Sequence, residues 1–176
     1  MKCFTPEYVK NRTYNGFNQK YTPVPCGYCA ACLKKRRSIW SYRLLYELKQ
    51  HSYSSFITLT YEDDQLPESG LEKDHIQKYL KKIRKKRKCR YYCVGEYGSQ
   101  THRPHYHAII FGIHSADPVL TNSWKYGFVH TGTVTEASIG YVTKYLITNQ
   151  LPLLEKKNDP LVLCLANRCL DIDILI

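Results

Sequence analysis

The sequence predicts an α+β domain, and three observations carry that prediction. Short runs rich in β-branched and aromatic residues, such as Ser54-Ser55-Phe56-Ile57-Thr58-Leu59-Thr60-Tyr61, read as strands. Segments with apolar residues at helical spacing lie between them, so the two element types alternate along the chain. With 176 residues, 43% of them hydrophobic, and no apolar run of transmembrane length, one main globular domain with a small appendage is expected, and no membrane partner. The opening Met1-Lys2-Cys3-Phe4-Thr5-Pro6-Glu7 is polar, unlike a secretory signal, which predicts a cytoplasmic protein.

The appendage comes first along the chain. Eight cysteines in a reducing compartment read as thiols or metal ligands before disulfides. Cys26-Gly27-Tyr28-Cys29-Ala30-Ala31-Cys32 supplies three thiols at two-residue spacing, and Gly27 allows the tight turn that aims neighbouring sulfurs at one ion. Cys3 is the candidate fourth ligand of an all-cysteine structural Zn²⁺ site, which would tie the N-terminal segment, residues 1–35, to the next helix. Buried free thiols are the plainer alternative. An iron–sulfur cluster fits less well, because the bacterial ferredoxin spacing would place a cysteine where Arg36 stands.

Cys32 to Gln50 is predicted helical, with Ile39, Trp40, Leu44, Leu45 and Leu48 as its apolar stripe. The strand at 54–61 is stopped by Glu62-Asp63-Asp64. Asp74 is placed to cap a helix whose Ile76, Tyr79, Leu80 and Ile83 fall at i, i+3, i+4 and i+7. Strands are expected at about Arg90–Glu96 and His105–Phe111, with a Gly- and polar-rich turn between them. A short strand at 127–134 precedes a last helix, with Thr135 as N-cap and Glu136 in its first turn.

Charge points to the partner. The chain carries 26 Lys+Arg against 15 Asp+Glu, a formal net charge of +11, which suits a polyanion such as nucleic acid. The excess is concentrated in Lys34, Lys35, Arg36 and Arg37 and in Lys81, Lys82, Arg84, Lys85, Lys86, Arg87, Lys88 and Arg90, with Arg103 beside the histidines. Sixteen tyrosines against five phenylalanines favour single strands, because a phenol can stack on an unpaired base while its hydroxyl stays wet. A solvated charged face is the bland reading of the same runs.

Two constellations carry chemistry. In Arg103-Pro104-His105-Tyr106-His107, alternation along a strand puts both imidazoles on one face, available to a single ion. If the strands at 90–96 and 105–111 pair as an antiparallel hairpin, Glu96 is brought to His105. On the last helix, Tyr141, Lys144, Tyr145 and Thr148 share one face, and Ile139, Val142, Thr143 and Leu146 the opposite one. A divalent ion on His105, His107 and Glu96 can polarise a phosphodiester while a tyrosine hydroxyl attacks phosphorus and Lys144 supports the developing charge. On spacing alone, packed histidines and an ordinary amphipathic helix account for the same residues.

Taken together, His105-Tyr106-His107 with Tyr141 and Tyr145 resembles the HUH single-strand endonucleases. Pro25 to Cys32, Phe56 to Tyr61, Val94 to Gly98, Arg103 to His107 and Tyr141 to Tyr145 occur in the order seen in the replication initiators of microviruses, small single-stranded DNA phages. The similarity is strongest to the gokushovirus branch and runs from about residue 1 to 148. It implies a five-stranded antiparallel sheet packed with helices, the histidine strand central, and a nicking core over residues 36–150. It further implies Mg²⁺ or Mn²⁺ as the catalytic ion, Tyr141 and Tyr145 as nucleophiles, a 5′-phosphotyrosine intermediate, and a 3′-hydroxyl that host polymerase extends in rolling-circle replication. The partners implied are single-stranded origin DNA and the host replication machinery, in the host cytoplasm.

Two departures accompany the resemblance. Thr148 stands where such initiators often carry another lysine, and the tail, residues 151–176, is shorter than their C-terminal region, so a truncated or inactive descendant of the nickase is one expectation. The competing classes are a non-catalytic single-stranded nucleic-acid-binding module, a transposase or relaxase of the same superfamily, and a histidine metal hydrolase that activates water.

Overall fold

A computed structural model describes residues 2–148 and 162–163. The expected tail at 151–176 otherwise lies outside the described residues. Two short strands, β1 (Glu7–Lys10) and β2 (Tyr21–Val24), pair antiparallel as a small separate sheet near the N-terminus. The sequence reading misses this hairpin because it is almost wholly exposed, and exposed strands show no buried alternation.

Helix α1 (Ala30–Leu48) begins and ends two residues earlier than expected, starting on the strong helix formers Ala30 and Ala31. It leads into β3 (Ser54–Thr60), α2 (Lys73–Lys86), β4 (Arg90–Tyr97), β5 (Pro104–Phe111), α3 (Pro118–Asn122), β6 (Val129–Thr133), α4 (Glu136–Thr148) and β7 (Val162–Leu163). The main sheet has the order β6-β3-β5-β4-β7, every neighbouring pair antiparallel, with β5 in the middle. The α+β expectation therefore holds.

Helices cover both faces of this sheet, and strand alternation decides what each covers. Ile57, Leu59, Tyr106, Ala108 and Ile110 pack against Ile76, Tyr79, Leu80 and Ile83 of α2 and against Val119 and Leu120 of α3. Tyr92, Val94, Ile109 and Phe111 point the other way, against Leu44 of α1 and Ile139, Val142 and Tyr145 of α4. Arg37 and Ser41 join α1 to α4, through the Gly140 carbonyl at 3.1 Å and the Thr143 hydroxyl at 3.0 Å.

Three local expectations can be compared. Thr135 caps α4 as anticipated: its Oγ1 accepts from the Ser138 amide at 3.2 Å, and Ser138 Oγ in turn accepts from the Thr135 amide at 3.3 Å. Asp74 does not cap α2; the N-cap is Glu72, without a side-chain cap bond, and Asp74 lies within the first turn, where its charge suits the helix dipole. Strand β6 is shorter than the expected 127–134, and Gly127 lies just before it. A Cβ on Gly127 would stand 2.5 Å from both the Thr60 carbonyl oxygen and the Glu62 amide nitrogen, so only glycine lets this segment come alongside β3.

Candidate metal centre and its tyrosines

The β4–β5 hairpin forms with Glu96 opposite His105 and Val94 opposite His107. Because His105, His107, Ile109 and Phe111 alternate with Tyr106, Ala108 and Ile110, both histidines emerge on the sheet face packed by α1 and α4. There His105 Nε2 and His107 Nε2 lie 2.7 and 2.8 Å from the same carboxylate oxygen, Glu96 Oε1. The other ring nitrogens are engaged behind them: His105 Nδ1 is 3.0 Å from the Arg103 carbonyl oxygen, and His107 Nδ1 is 3.0 Å from Thr58 Oγ1. Two imidazoles held from behind, with both Nε2 atoms turned to one carboxylate, form a donor set placed to hold a divalent cation. Ligands about 2.1 Å from such an ion and at right angles to each other lie ~3 Å apart, close to these separations.

Tyr141 reaches this centre from α4. Its hydroxyl donates to Glu96 Oε1 at 2.6 Å and lies 3.4 Å from His107 Nε2. Burial raises the Glu96 pKa, but the hydrogen bonds from His105, His107 and Tyr141 outweigh it and hold the carboxyl well below its usual range. Burial and the neighbouring carboxylate push the Tyr141 phenol well above its usual value. Lys144 Nζ sits over both tyrosines, 4.1 Å from the Tyr141 ring centroid and 4.8 Å from that of Tyr145.

The two tyrosines are not equivalent. Helical spacing puts them on one face away from the apolar side, yet Tyr145 is buried with Ile139 and Val142 in the layer between α4 and the sheet. Its ring centroid is 5.5 Å from that of Tyr141. Thr148, expected on the same face, closes α4, and the structure does not describe its side chain.

The sequence reading misses three residues beside the centre. Thr58 holds His107, and Phe56 stacks on the same imidazole with centroids 5.6 Å apart and planes 17° from parallel. Phe128 exchanges backbone hydrogen bonds with Thr60, which itself lies opposite His105, so Glu96, His105, Thr60 and Phe128 form one row across four strands on the same face. The Phe128 ring is 64% exposed. The alternation in 56–60 marks Phe56 and Thr58 as sharing a face, but only the order β3-β5-β4 shows whose face it is.

The cysteines also converge. Cys3 Sγ lies 3.5 Å from Cys26 Sγ and 3.7 Å from Cys29 Sγ, and Cys26 Sγ lies 4.0 Å from Cys32 Sγ. Sulfurs ~2.3 Å from one tetrahedral zinc stand about 3.8 Å apart, so the donor set fits a single ion. Backbone hydrogen bonds from Phe4 and Cys32 draw the Cys29 thiol down to about 6. The Gly27 backbone acts to lower Cys32, but burial and the hydrogen bonds with Cys29, Cys3 and Cys26 outweigh it and push it up to about 12.

The basic residues divide into two groups. Arg37 donates to the Gly140 carbonyl, Arg87 pairs with Asp117 at 2.9 Å, Arg90 with buried Glu47 at 3.0 Å, and Arg103 with Asp63 and the Tyr61 carbonyl. Arg36 lies half-buried beside Gly27. Lys34, Lys35, Lys81, Lys82, Arg84, Lys85, Lys86 and Lys88 stand exposed.

The fold and centre define an α+β domain with a three-donor candidate metal site and a phenol hydrogen-bonded to it. Residues 54–150, which contain that entire site, match the family model of the replication-associated protein ORF2, and the chain belongs to this family. It is 29% identical over 159 residues to the replication-associated protein ORF4 of Chlamydia phage 1, covering 76% of this chain and 40% of that protein. It is 29% identical over 150 residues to the replication-associated protein ORF2 of Spiroplasma virus 4, covering 69% and 47%. Against the replication-associated protein VP4 of Bdellovibrio phage phiMH2K the identity is 26% over 147 residues, again covering 69% and 47%. The chain thus spans less than half the length of these relatives. No solved structure matches it. Among the described residues no helix is long and apolar enough to cross a membrane.

Proposed function

We propose that this chain is the nicking domain of a phage replication initiator, an HUH-type endonuclease that cuts single-stranded origin DNA and stays covalently attached to it. The observation that carries this reading is the convergence of His105 Nε2, His107 Nε2 and the Tyr141 hydroxyl on Glu96 Oε1, at 2.6–2.8 Å. A metal hydrolase that activates water has no need of a phenol in that position, and a binding module has no need of the centre.

Bound by His105, His107 and Glu96, Mg²⁺ or Mn²⁺ would polarise the phosphodiester and offset charge on its oxygens. Tyr141 Oη attacks phosphorus and the bond to O3′ breaks. The 5′-phosphate stays on the tyrosine, and the departing oxygen takes a proton to become a 3′-hydroxyl. Glu96 Oε1 orients the hydroxyl that must lose its proton, and Lys144 offsets the charge of the phenolate. Tyr145 serves a second transfer, joining the displaced strand after host polymerase has extended the 3′-hydroxyl. Thr60 and Phe128 form the floor on which flanking bases lie. Cys3, Cys26, Cys29 and Cys32 hold a structural Zn²⁺ in the N-terminal segment, and the exposed lysines meet the DNA backbone in the host cytoplasm.

Incubation with single-stranded origin DNA and Mn²⁺, followed by denaturing electrophoresis, tests the reading. A protein–DNA adduct that requires Mn²⁺ and is lost in His105→Ala is expected. Metal-dependent cleavage without an adduct would replace tyrosine by water as the nucleophile, and binding without cleavage would leave a non-catalytic module.

A further inference from the structure

A second basic feature lies on the far side of the sheet. Between α2 and the segment 123–126 runs a groove of about 310 Å³, lined by Lys78, Lys81, Lys82, Lys85 and Lys125, with Tyr126 in its wall. All five lysines are exposed, no carboxylate lines the groove, and among the described residues none of the five forms an ion pair. By contrast Arg87, Arg90 and Arg103 are held by Asp117, Glu47 and Asp63. On α2 the lysines fall at i, i+3, i+4 and i+7, so they form one stripe with neighbouring Cβ atoms ~5–6 Å apart, a spacing suited to a row of phosphates rather than to one small anion.

Position separates this groove from the metal centre. Tyr79 and Tyr126 belong to the apolar layer on the α2/α3 face, whereas Tyr141 packs with the layer on the α1/α4 face. One phosphate cannot touch both. The two faces meet at the β6 edge of the sheet: Phe128 lies on the metal-site face, and Tyr126 is only two residues before it on the opposite one.

We propose that the lysine groove binds the phosphodiester backbone of the DNA strand that continues beyond the cleavage site, after it crosses Phe128 and rounds the β6 edge. The proposal rests on single-stranded DNA as the substrate, as argued above. Three strand spacings from Glu96 to Phe128 plus one layer of packing make a path on the order of 25 Å. At ~3.4 Å per stacked nucleotide that path takes roughly seven nucleotides, so a strand must run that far past the cut to reach the groove.

The test compares the full chain with a Lys81→Gln/Lys85→Gln/Lys125→Gln variant on two single-stranded DNAs, one of ~8 nucleotides centred on the cut and one of ~25, over a salt series. On the long strand the slope of log affinity against log salt is expected to fall by about 2, since each lost phosphate contact removes ~0.7. The short strand should bind both proteins alike, and the same positions changed to Arg should restore the long-strand slope. An unchanged slope on the long strand, or an equal loss on the short one, overturns the proposal. Adduct formation on the short strand reads the metal centre separately. Adduct with an unchanged slope sinks the groove alone, and a reduced slope without adduct sinks the nickase reading alone.

Discussion

The Tyr141 hydroxyl donates a 2.6 Å hydrogen bond to Glu96 Oε1, the oxygen that both histidines also approach. Tyr145, one turn further along α4, lies in the packed layer instead. In the arrangement observed, only Tyr141 stands at the candidate metal, so it should make the first cut. Tyr141→Phe is expected to reduce the first covalent adduct to background, while Tyr145→Phe should still nick but fail to rejoin strands. Peptide mapping of the adduct checks this order, and a first adduct on Tyr145 would reverse it.

Thr58 Oγ1 is 3.0 Å from His107 Nδ1 and so sets which nitrogen of that ring faces the carboxylate. Thr58→Val keeps the shape and removes the hydroxyl. Outer-shell partners of this kind typically contribute 10–100-fold to metal affinity, so Mn²⁺ binding by titration calorimetry should weaken by roughly that factor. An unchanged affinity would mean that Phe56 stacking alone holds the ring.

What can be read from sequence divides along physical lines. Contacts within one element or one hairpin are legible: His105 and His107 share a face by strand period, Glu96 meets His105 because the two strands are neighbours, and the Thr135 cap is a local signal. Contacts that depend on sheet order are not. β3 pairs with β5 only after α2 and β4 have intervened, so nothing near Thr58 or Phe128 in the chain announces the histidines. Burial is also hidden for Tyr145, since a tyrosine at helical spacing looks the same whether it faces a core or a cleft.

Phe128 offers an exposed ring two strands from His105, on the same sheet face. Stacking of one base on an aromatic ring contributes ~1–3 kcal/mol, so Phe128→Ala should weaken binding of a short single strand by about 5- to 150-fold. Because the ring is mostly exposed, thermal stability should stay near that of the parent. Fluorescence anisotropy with a labelled ~8-nucleotide strand measures the loss, and equal affinities would remove Phe128 from the strand path.

Removal of metal from the four cysteines should act locally. The β1–β2 sheet is largely exposed, so little apolar burial holds it once the sulfurs are released. Chelation, or Cys26→Ser, is expected to open residues 2–29 to limited proteolysis while the core from β3 onward stays protected. Release of one zinc per chain with that cleavage pattern would agree with a structural site. Protection unchanged by chelator would mean that packing alone orders the segment.

Alkaline pH should find a weak point far from the metal centre. Burial pushes the Tyr61 phenol up to about 12, against an ordinary value of 10.0; its hydroxyl lies 3.0 Å from Tyr106 Oη and 3.1 Å from His75 Nδ1. The raised value means that the folded state favours the protonated phenol. Its contribution is therefore fully present below pH 10 and is lost as pH rises from 10 towards 12. A shift of this size corresponds to about 2–3 kcal/mol, a sizeable part of a domain's stability. Denaturant midpoints should thus fall steeply above pH 10, and Tyr61→Phe, which cannot ionise, should flatten that limb while costing about 1 kcal/mol at neutral pH for the lost hydrogen bonds. Parallel alkaline limbs in the two proteins would assign the loss to other buried tyrosines, of which Tyr79 and Tyr106 are raised further still.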